Sequence, residues 1–522
     1  MDIKNLTLRE KIGQTMIMLC TPEKFKKECG SIENFVKKYP IGGFYPCSEL
    51  EKGLMKSVSK EACDELITEC NKYLKIPVIM TADGPNNKKG LVSFGNQMLL
   101  GATNDTELAY EFGKIEGEKI SSCGIHWWFA PVVDLNMSSL SPIVNTRALS
   151  DNPDIAIPLA KAIIKGIQDS GIASTAKHFP GTDDNERVDP HLAPLNNKIT
   201  KEKWDATNGK MYSELFKDDV MSVMTAHQNL VCYQTEKVNG RYLPSTMSKE
   251  VVTDLLKEKL GFKGVVVTDA LVMGGFTGAD GINNQVKSFE AGNDAMLWPD
   301  IKYMDLVEEK ILNGEIPMSR LDDAVERILK LKEKLGVLDG SFKPKEYDVK
   351  KAEELSKKIS DNGITLVQNE LGVIPVKNLK KVLVVCVTPS DANYEKFKKM
   401  QDVFEKYGIK AEIRRDIVQD EFEEIQNNYD LTVFALQRAP HQPIGPLQFW
   451  GDNAASIWAS NSGDPTKKIV CSFGSPYHYE YYCETPTTYI NAYVNTEIMY
   501  DTFVRAITGQ IEFKGKSPVK LI

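Results

Sequence analysis

Asp189 and His191 stand two residues apart in a loop crowded with charge, where Asp183, Asp184, Glu186 and Arg187 precede them. A carboxylate so close to an imidazole can hold the ring and raise its basicity. That pairing is the smallest equipment for proton transfer near neutral pH. The loop opens after Lys177-His178-Phe179-Pro180-Gly181, which follows the apolar run 172–176. Neighbours on a strand point to opposite faces, so of Lys177 and His178 one would face inward and the other the rim. A second carboxylate, Asp269, ends the run Val265-Val266-Val267-Thr268. An Asp in that position either caps the next helix or projects into a site. On spacing alone, the Asp-x-His pair and the lone Asp both have a purely structural reading.

The elements that must carry these residues form a repeating pattern. Strand-like runs fall at 15–19, 41–45, 78–81, 127–133, 172–176, 221–225, 265–268 and 295–297, with helix-length segments such as 105–123 and 154–170 between most of them. Eight strand–helix units over this length predict a (β/α)8 barrel of the TIM type, with an open doubly wound sheet as the pattern's other solution. A barrel demands functional side chains just after its strands. Asp83, Asp134, Lys177, His178, His227 and Asp269 all stand there. The helix 319–332 follows, then a stretch rich in Gly, Pro and Lys. Further strand-like runs at 382–387, 431–436 and 469–473 predict a smaller α/β sandwich. The expected organisation is a barrel over 1–340, a linker over 341–349 and a second domain over 350–522.

Three motifs taken together resemble glycoside hydrolase family 3. They are Ala176-Lys177-His178-Phe179-Pro180-Gly181, then Asp189-x-His191, then Gly261-Phe262-x-Gly264-Val265-x-x-x-Asp269-Ala270-x-x-Met273. The nearest branch in pattern is the bacterial β-N-acetylglucosaminidases. The resemblance implies Asp269 as nucleophile and His191 as general acid/base, oriented by Asp189. It implies a sugar-binding set of Asp83, Arg147, Lys177 and His178, with Arg147 in the segment Val144-Asn145-Thr146-Arg147-Ala148-Leu149. Two stretches depart from the family pattern. Gly181-Thr182-Asp183 replaces the usual Gly-His-Gly, and Gly84-Pro85-Asn86-Asn87-Lys88-Lys89 lacks the usual Glu-Gly-Gly. Pro190, where a small residue is usual, stiffens the dyad.

The implied activity is retaining exo-hydrolysis of terminal N-acetylglucosamine from short glycans, with no cofactor and no metal. The acidic trio Asp183, Asp184 and Glu186 reads as a solvated loop rather than a cation site. Three readings stay open beside this one: a phosphorylase using the same residues, a β-glucosidase, and a sugar-binding protein without catalysis. Across 522 residues, a net charge of -8 excludes the basic surface that nucleic-acid binding needs. No apolar run approaches the length of a membrane span. The amino terminus, Met1-Asp2-Ile3-Lys4-Asn5-Leu6, lacks an apolar signal core, so a cytoplasmic location is expected. The ten cysteines, without a Cys-x-x-Cys pair, read as reduced, buried thiols.

Overall fold

The computed structural model describes residues 3–19, 22–51, 54–57, 60–84, 91–276, 281–440 and 448–521. The chain divides into two compact units, one of Met1–Leu91, Ala109–Asp134 and Ala160–Asp348, the other of Val92–Leu108, Leu135–Leu159 and Val349–Ile522.

The first unit carries eight strands that the apolar runs anticipate: β1 (Met16–Leu19), β2 (Gly43–Tyr45), β3 (Ile79–Ala82), β4 (Trp127–Trp128), β5 (Thr175–Phe179), β6 (Ser222–Thr225), β7 (Val265–Thr268) and β8 (Met296–Leu297). All pair in parallel, in two runs ordered β8-β1-β2-β3-β4 and β7-β6-β5. Single parallel bridges, Trp127 to Ala173 and Val267 to Ala295, join the ends of one run to the ends of the other. Parallel strands covered on both faces read as continuous apolar runs, which is why Val265–Thr268 and Ile79–Ala82 are buried throughout. One core cluster gathers Ile17, Tyr45, Ile79, Trp127, Ala173, Met224, Val267 and Leu297, a residue from or beside each strand.

A long amphipathic helix, α1 (Met318–Lys334), lays its apolar stripe on this unit, with Leu321, Val325, Ile328 and Leu329 buried. Its Lys332 is buried too, and the ammonium donates to Gln14 Oε1 (2.7 Å), Gly42 O (2.8 Å) and Pro77 O (2.7 Å). Three neutral acceptors satisfy its protons but do not offset its loss of hydration, and burial pushes its pKa down to about 7.

The second unit holds a six-stranded sheet of β9 (Thr365–Asn369), β10 (Lys381–Val387), β11 (Lys410–Arg415), β12 (Leu431–Leu436), β13 (Lys468–Ser472) and β14 (Thr488–Asn491). Their order is β9-β14-β13-β12-β10-β11, parallel except for the antiparallel edge strand β9. Segments 92–108 and 135–159 group here because they pack on it closely. Asn96 Nδ2 donates to Tyr493 O at 2.8 Å, Ser150 donates to Pro518 O, and Lys520 N–H donates to Asp151 at 2.7 Å.

Seven cysteines among the described residues are free thiols. Cys70, Cys123, Cys386 and Cys471 are buried as expected, whereas Cys29, Cys232 and Cys483 are only half-buried. Among the described residues no helix is long and apolar enough to cross a membrane.

Candidate active site

The carboxyl ends of β3, β4, β5, β6 and β7 bring the ionisable residues together. Asp269 follows β7, and its N–H donates to Thr225 O at the end of β6 (2.9 Å). Its carboxylate accepts the N–H of Ala270 at 2.7 Å. Burial opposes its ionisation, but the nearby His178, His227 and His191 and the Ala270 amide outweigh that, so Asp269 sits below the ordinary carboxylate value. A half-buried carboxylate held ionised suits a nucleophile.

His191 Nδ1 meets Asp189 Oδ1 at 2.7 Å, and the same oxygen accepts the His191 N–H at 2.8 Å. The Asp189 side chain is 0% exposed and that of His191 28%. The buried partner fixes the ring while the imidazole stays within reach of a ligand. Because the carboxylate accepts, Nδ1 carries a proton and Nε2 is left for exchange.

The loop holding this dyad is pinned to the turn after Asp269. Gly275 N–H donates to Pro190 O (2.9 Å) and Gly274 N–H to His191 O (3.0 Å). A Cβ on Gly274 would lie 2.6 Å from Leu192 O, and one on Gly275 2.7 Å from Pro190 O. Only glycine lets the two backbones approach so closely. The motif containing Asp269 stops at Met273, so sequence reasoning passed over this Gly-Gly pair. Its only signal was the doubled glycine itself.

Lys177 and His178 lie inside β5, not beyond it, and each takes a carboxylate that follows another strand. The buried Lys177 ammonium is paired with Asp83. Asp83 is 45% exposed, and its N–H donates to Tyr45 Oη at 3.2 Å. His178 binds Asp134 twice, through N–H to Oδ1 (3.1 Å) and Nδ1 to Oδ2 (2.7 Å). A simple inward/rim alternation therefore does not describe these two residues, and the β5–β6 register shifts between Lys177 and Phe179. Asp134 stands after its strand as the sequence predicts, and His178 is its partner there. His227 is buried, with Nδ1 on Thr246 Oγ1 (2.9 Å) and Nε2 on Ala270 O (3.0 Å), so both ring nitrogens are engaged.

The acidic loop is not solvated as expected. Asp183, Glu186 and Asp189 are buried, and only Asp184 among the four is exposed. Asp183 is drawn in because its carboxylate accepts the N–H groups of Asn185 (2.9 Å) and Lys198 (2.7 Å). Among the described residues no His, Cys, Asp and Glu group could hold a metal. Arg147 belongs to the other compact unit, where its guanidinium donates to Ile143 O at 3.2 Å. Residues 85–89, in the stretch that departs from Glu-Gly-Gly, lie outside the described residues.

A family profile described as "Glycosyl hydrolase family 3 N terminal domain" matches residues 7–331. The chain belongs to glycosyl hydrolase family 3. It is a glycoside hydrolase by that membership. A β-N-acetylglucosaminidase/β-glucosidase of Cellulomonas fimi is 26% identical over 500 residues, covering 89% of this chain and 87% of that protein. A β-hexosaminidase of Neisseria meningitidis is 32% identical over 218 residues, 42% of this chain and 57% of that protein. Among solved structures, a family 3 β-N-acetylglucosaminidase from Paenibacillus superposes with a TM-score of 0.81 at 25% identity, covering 99% of both chains. A β-glucoside phosphorylase superposes with a TM-score of 0.84 at 24% identity, over 99% of this chain and 95% of that one, a likeness of fold. The matched span contains the dyad and Asp269.

Proposed function

We infer that this family 3 enzyme is a retaining exo-β-N-acetylglucosaminidase acting on short glycans. The observation that carries this reading is the Asp189–His191 dyad held against the turn that follows Asp269. In the proposed mechanism an Asp269 oxygen attacks the anomeric carbon as the glycosidic C–O bond breaks. The proton on His191 Nε2 passes to the leaving oxygen. In the second half, His191 takes a proton from water as that water attacks the same carbon, and Asp269 is released. Asp83, Lys177 and His178 are proposed to bind the sugar, the carboxylate accepting from hydroxyls and the ammonium and imidazole donating to them. His178 would be fixed for this by Asp134.

The scaffold we propose is a closed (β/α)8 barrel, supported by the two end bridges and by a core drawn from all eight strands. A second reading keeps every residue and replaces water by phosphate. It is favoured by one feature: the acid/base is an imidazole rather than a second carboxylate, which repels a phosphate less. The deciding experiment is p-nitrophenol release from the β-N-acetylglucosaminide and the β-glucoside, each with and without phosphate. Turnover of the acetamido substrate with free sugar as product is expected. Acceleration by phosphate with sugar 1-phosphate as product would convert the assignment to a phosphorylase, and turnover of the glucoside alone would sink the substrate assignment.

A further inference from the structure

The second unit has a cleft of its own. Its sheet runs β11-β10-β12-β13-β14, so the chain leaves β10 in one direction and returns on its other side. Open parallel sheets bind ligands in the crevice outside the carboxyl ends of the strands at such a reversal. Here a cavity of about 750 Å³ opens there, lined by Pro389 after β10, by Arg415 and Asp416 at the end of β11, and by Trp450, Asp452 and Asn453. That volume lies within the usual range for small-molecule sites.

The lining chooses among ligand classes. The lining carries three carboxylates, Asp416, Glu421 and Asp452, and the cation Arg415, while Arg414 pairs with Glu421 and Arg438 stands behind Trp450. Arg415 is itself engaged by Asp391 at 2.5 Å. With Arg414 and Arg415 each taken by a carboxylate and Arg438 turned to the indole, the cleft offers a phosphate or nucleotide little uncommitted positive charge. The hydroxyls after β10 are also committed, Thr388 to Gln437 (3.3 Å) and Ser390 to the N–H of Asn393 (3.3 Å). A ligand rich in hydroxyl donors and with an apolar face meets no such objection.

Trp450 supplies the platform for that face. Its indole is 62% exposed, and the Arg438 guanidinium, itself buried, lies 4.4 Å from the ring centroid. Cation and ring attract, which holds the indole in place while leaving most of it open. Asp416 supplies the acceptor. One of its oxygens is held by Asn453 Nδ2 (2.7 Å) and Ser456 Oγ (3.1 Å). The other has Arg415 Nε no nearer than 3.9 Å. Asp416 is also a non-glycine residue at φ +54°, a costly conformation that clusters at ligand sites.

We propose that this cleft of the second unit is a binding site for a neutral saccharide, stacked on Trp450 and hydrogen-bonded by Asp416. The site rests on the glycan reading above for its choice of saccharide. The test uses the full chain carrying D269N, so that no saccharide is consumed. The indole N–H resonance of Trp450 is identified by its absence in W450F. On titration with cellotriose or tri-N-acetylchitotriose it is expected to shift saturably in the millimolar range, and D416N is expected to weaken that binding about tenfold. Calorimetry is expected to show one more saccharide bound per chain in D269N than in D269N/W450A, a change at an exposed residue that leaves the core intact. No shift at tens of millimolar, equal stoichiometry in the two variants, or a larger shift with inorganic phosphate than with either saccharide would overturn the site. Neither readout depends on turnover, so failure here and failure of the glycosidase reading are distinguishable.

Discussion

The first unit contains two histidine–carboxylate pairs of the same length, built in opposite ways. His191 and Asp189 are two residues apart on one loop, and the ring is 28% exposed. His178 and Asp134 are 44 residues apart, on neighbouring strand ends, and the ring is 16% exposed. Each Nδ1 meets its carboxylate at 2.7 Å, so hydrogen-bond geometry does not separate them. Access does. A half-open imidazole on a loop can exchange a proton with a ligand and with water. A less exposed one, tied to its carboxylate by ring and backbone, is better suited to hold a fixed direction. In the proposed mechanism the same chemical pair serves proton transfer in one place and positioning in the other, according to what surrounds it.

Four changes test that division, in descending order of expected effect. D269N removes the proposed nucleophile, and turnover should fall on the order of 10⁴-fold while the fold, followed by circular dichroism, is kept. H191A should lower kcat by about 10²–10⁴-fold on substrates with poor leaving groups. It should lower kcat much less with an activated aryl leaving group, which needs less protonation. An equal loss on both would contradict the proton-transfer role. D134N loosens one strong hydrogen bond to a positioning ring and should cost roughly 1.5–3 kcal/mol, about 10-fold to 100-fold in kcat/KM. That loss should not depend on the leaving group, which separates it from H191A. G275A places a Cβ 2.7 Å from Pro190 O, so the dyad loop must shift. The strain is expected to be about 1–3 kcal/mol, read as a lower Tm together with a reduced kcat.

The smallest expected effect is an absence of one. Asp269 has a folded-state pKa below its unfolded value. Its contribution to stability is therefore present above the ordinary carboxylate range and lost only as pH falls through the lower folded value. With H191A and an activated substrate, kcat should stay level from neutrality down to about pH 4. A fall across that interval would show that Asp269 is not held ionised.

The strands were legible as a set because parallel, doubly covered strands need apolar side chains on both faces. Their limits were less so. The run 172–176 marks the buried approach to β5, whereas the ladder covers Thr175–Phe179 and includes Lys177 and His178. Charged residues enter that buried strand because Asp83 and Asp134 are waiting beside it, and nothing local announces them. The acidic loop misled for the same reason. Its composition reads as solvated, yet backbone N–H groups from Asn185 and Lys198 draw Asp183 inside.

By itself the sequence determined what is local or periodic: the alternation of strands and helices, the Asp189–His191 dyad, and a carboxylate at the end of β7. A pair two residues apart needs no long-range fold to meet, and an apolar period survives any arrangement of its neighbours. Tertiary structure alone decided which carboxylate each distant cation would take. Lys177 and Asp83 are 94 residues apart, and they meet only because β3 and β5 end on the same side of their sheets. It also decided how close the Asp189–His191 loop comes to the turn after Asp269, through two glycines whose missing side chains leave room for another backbone.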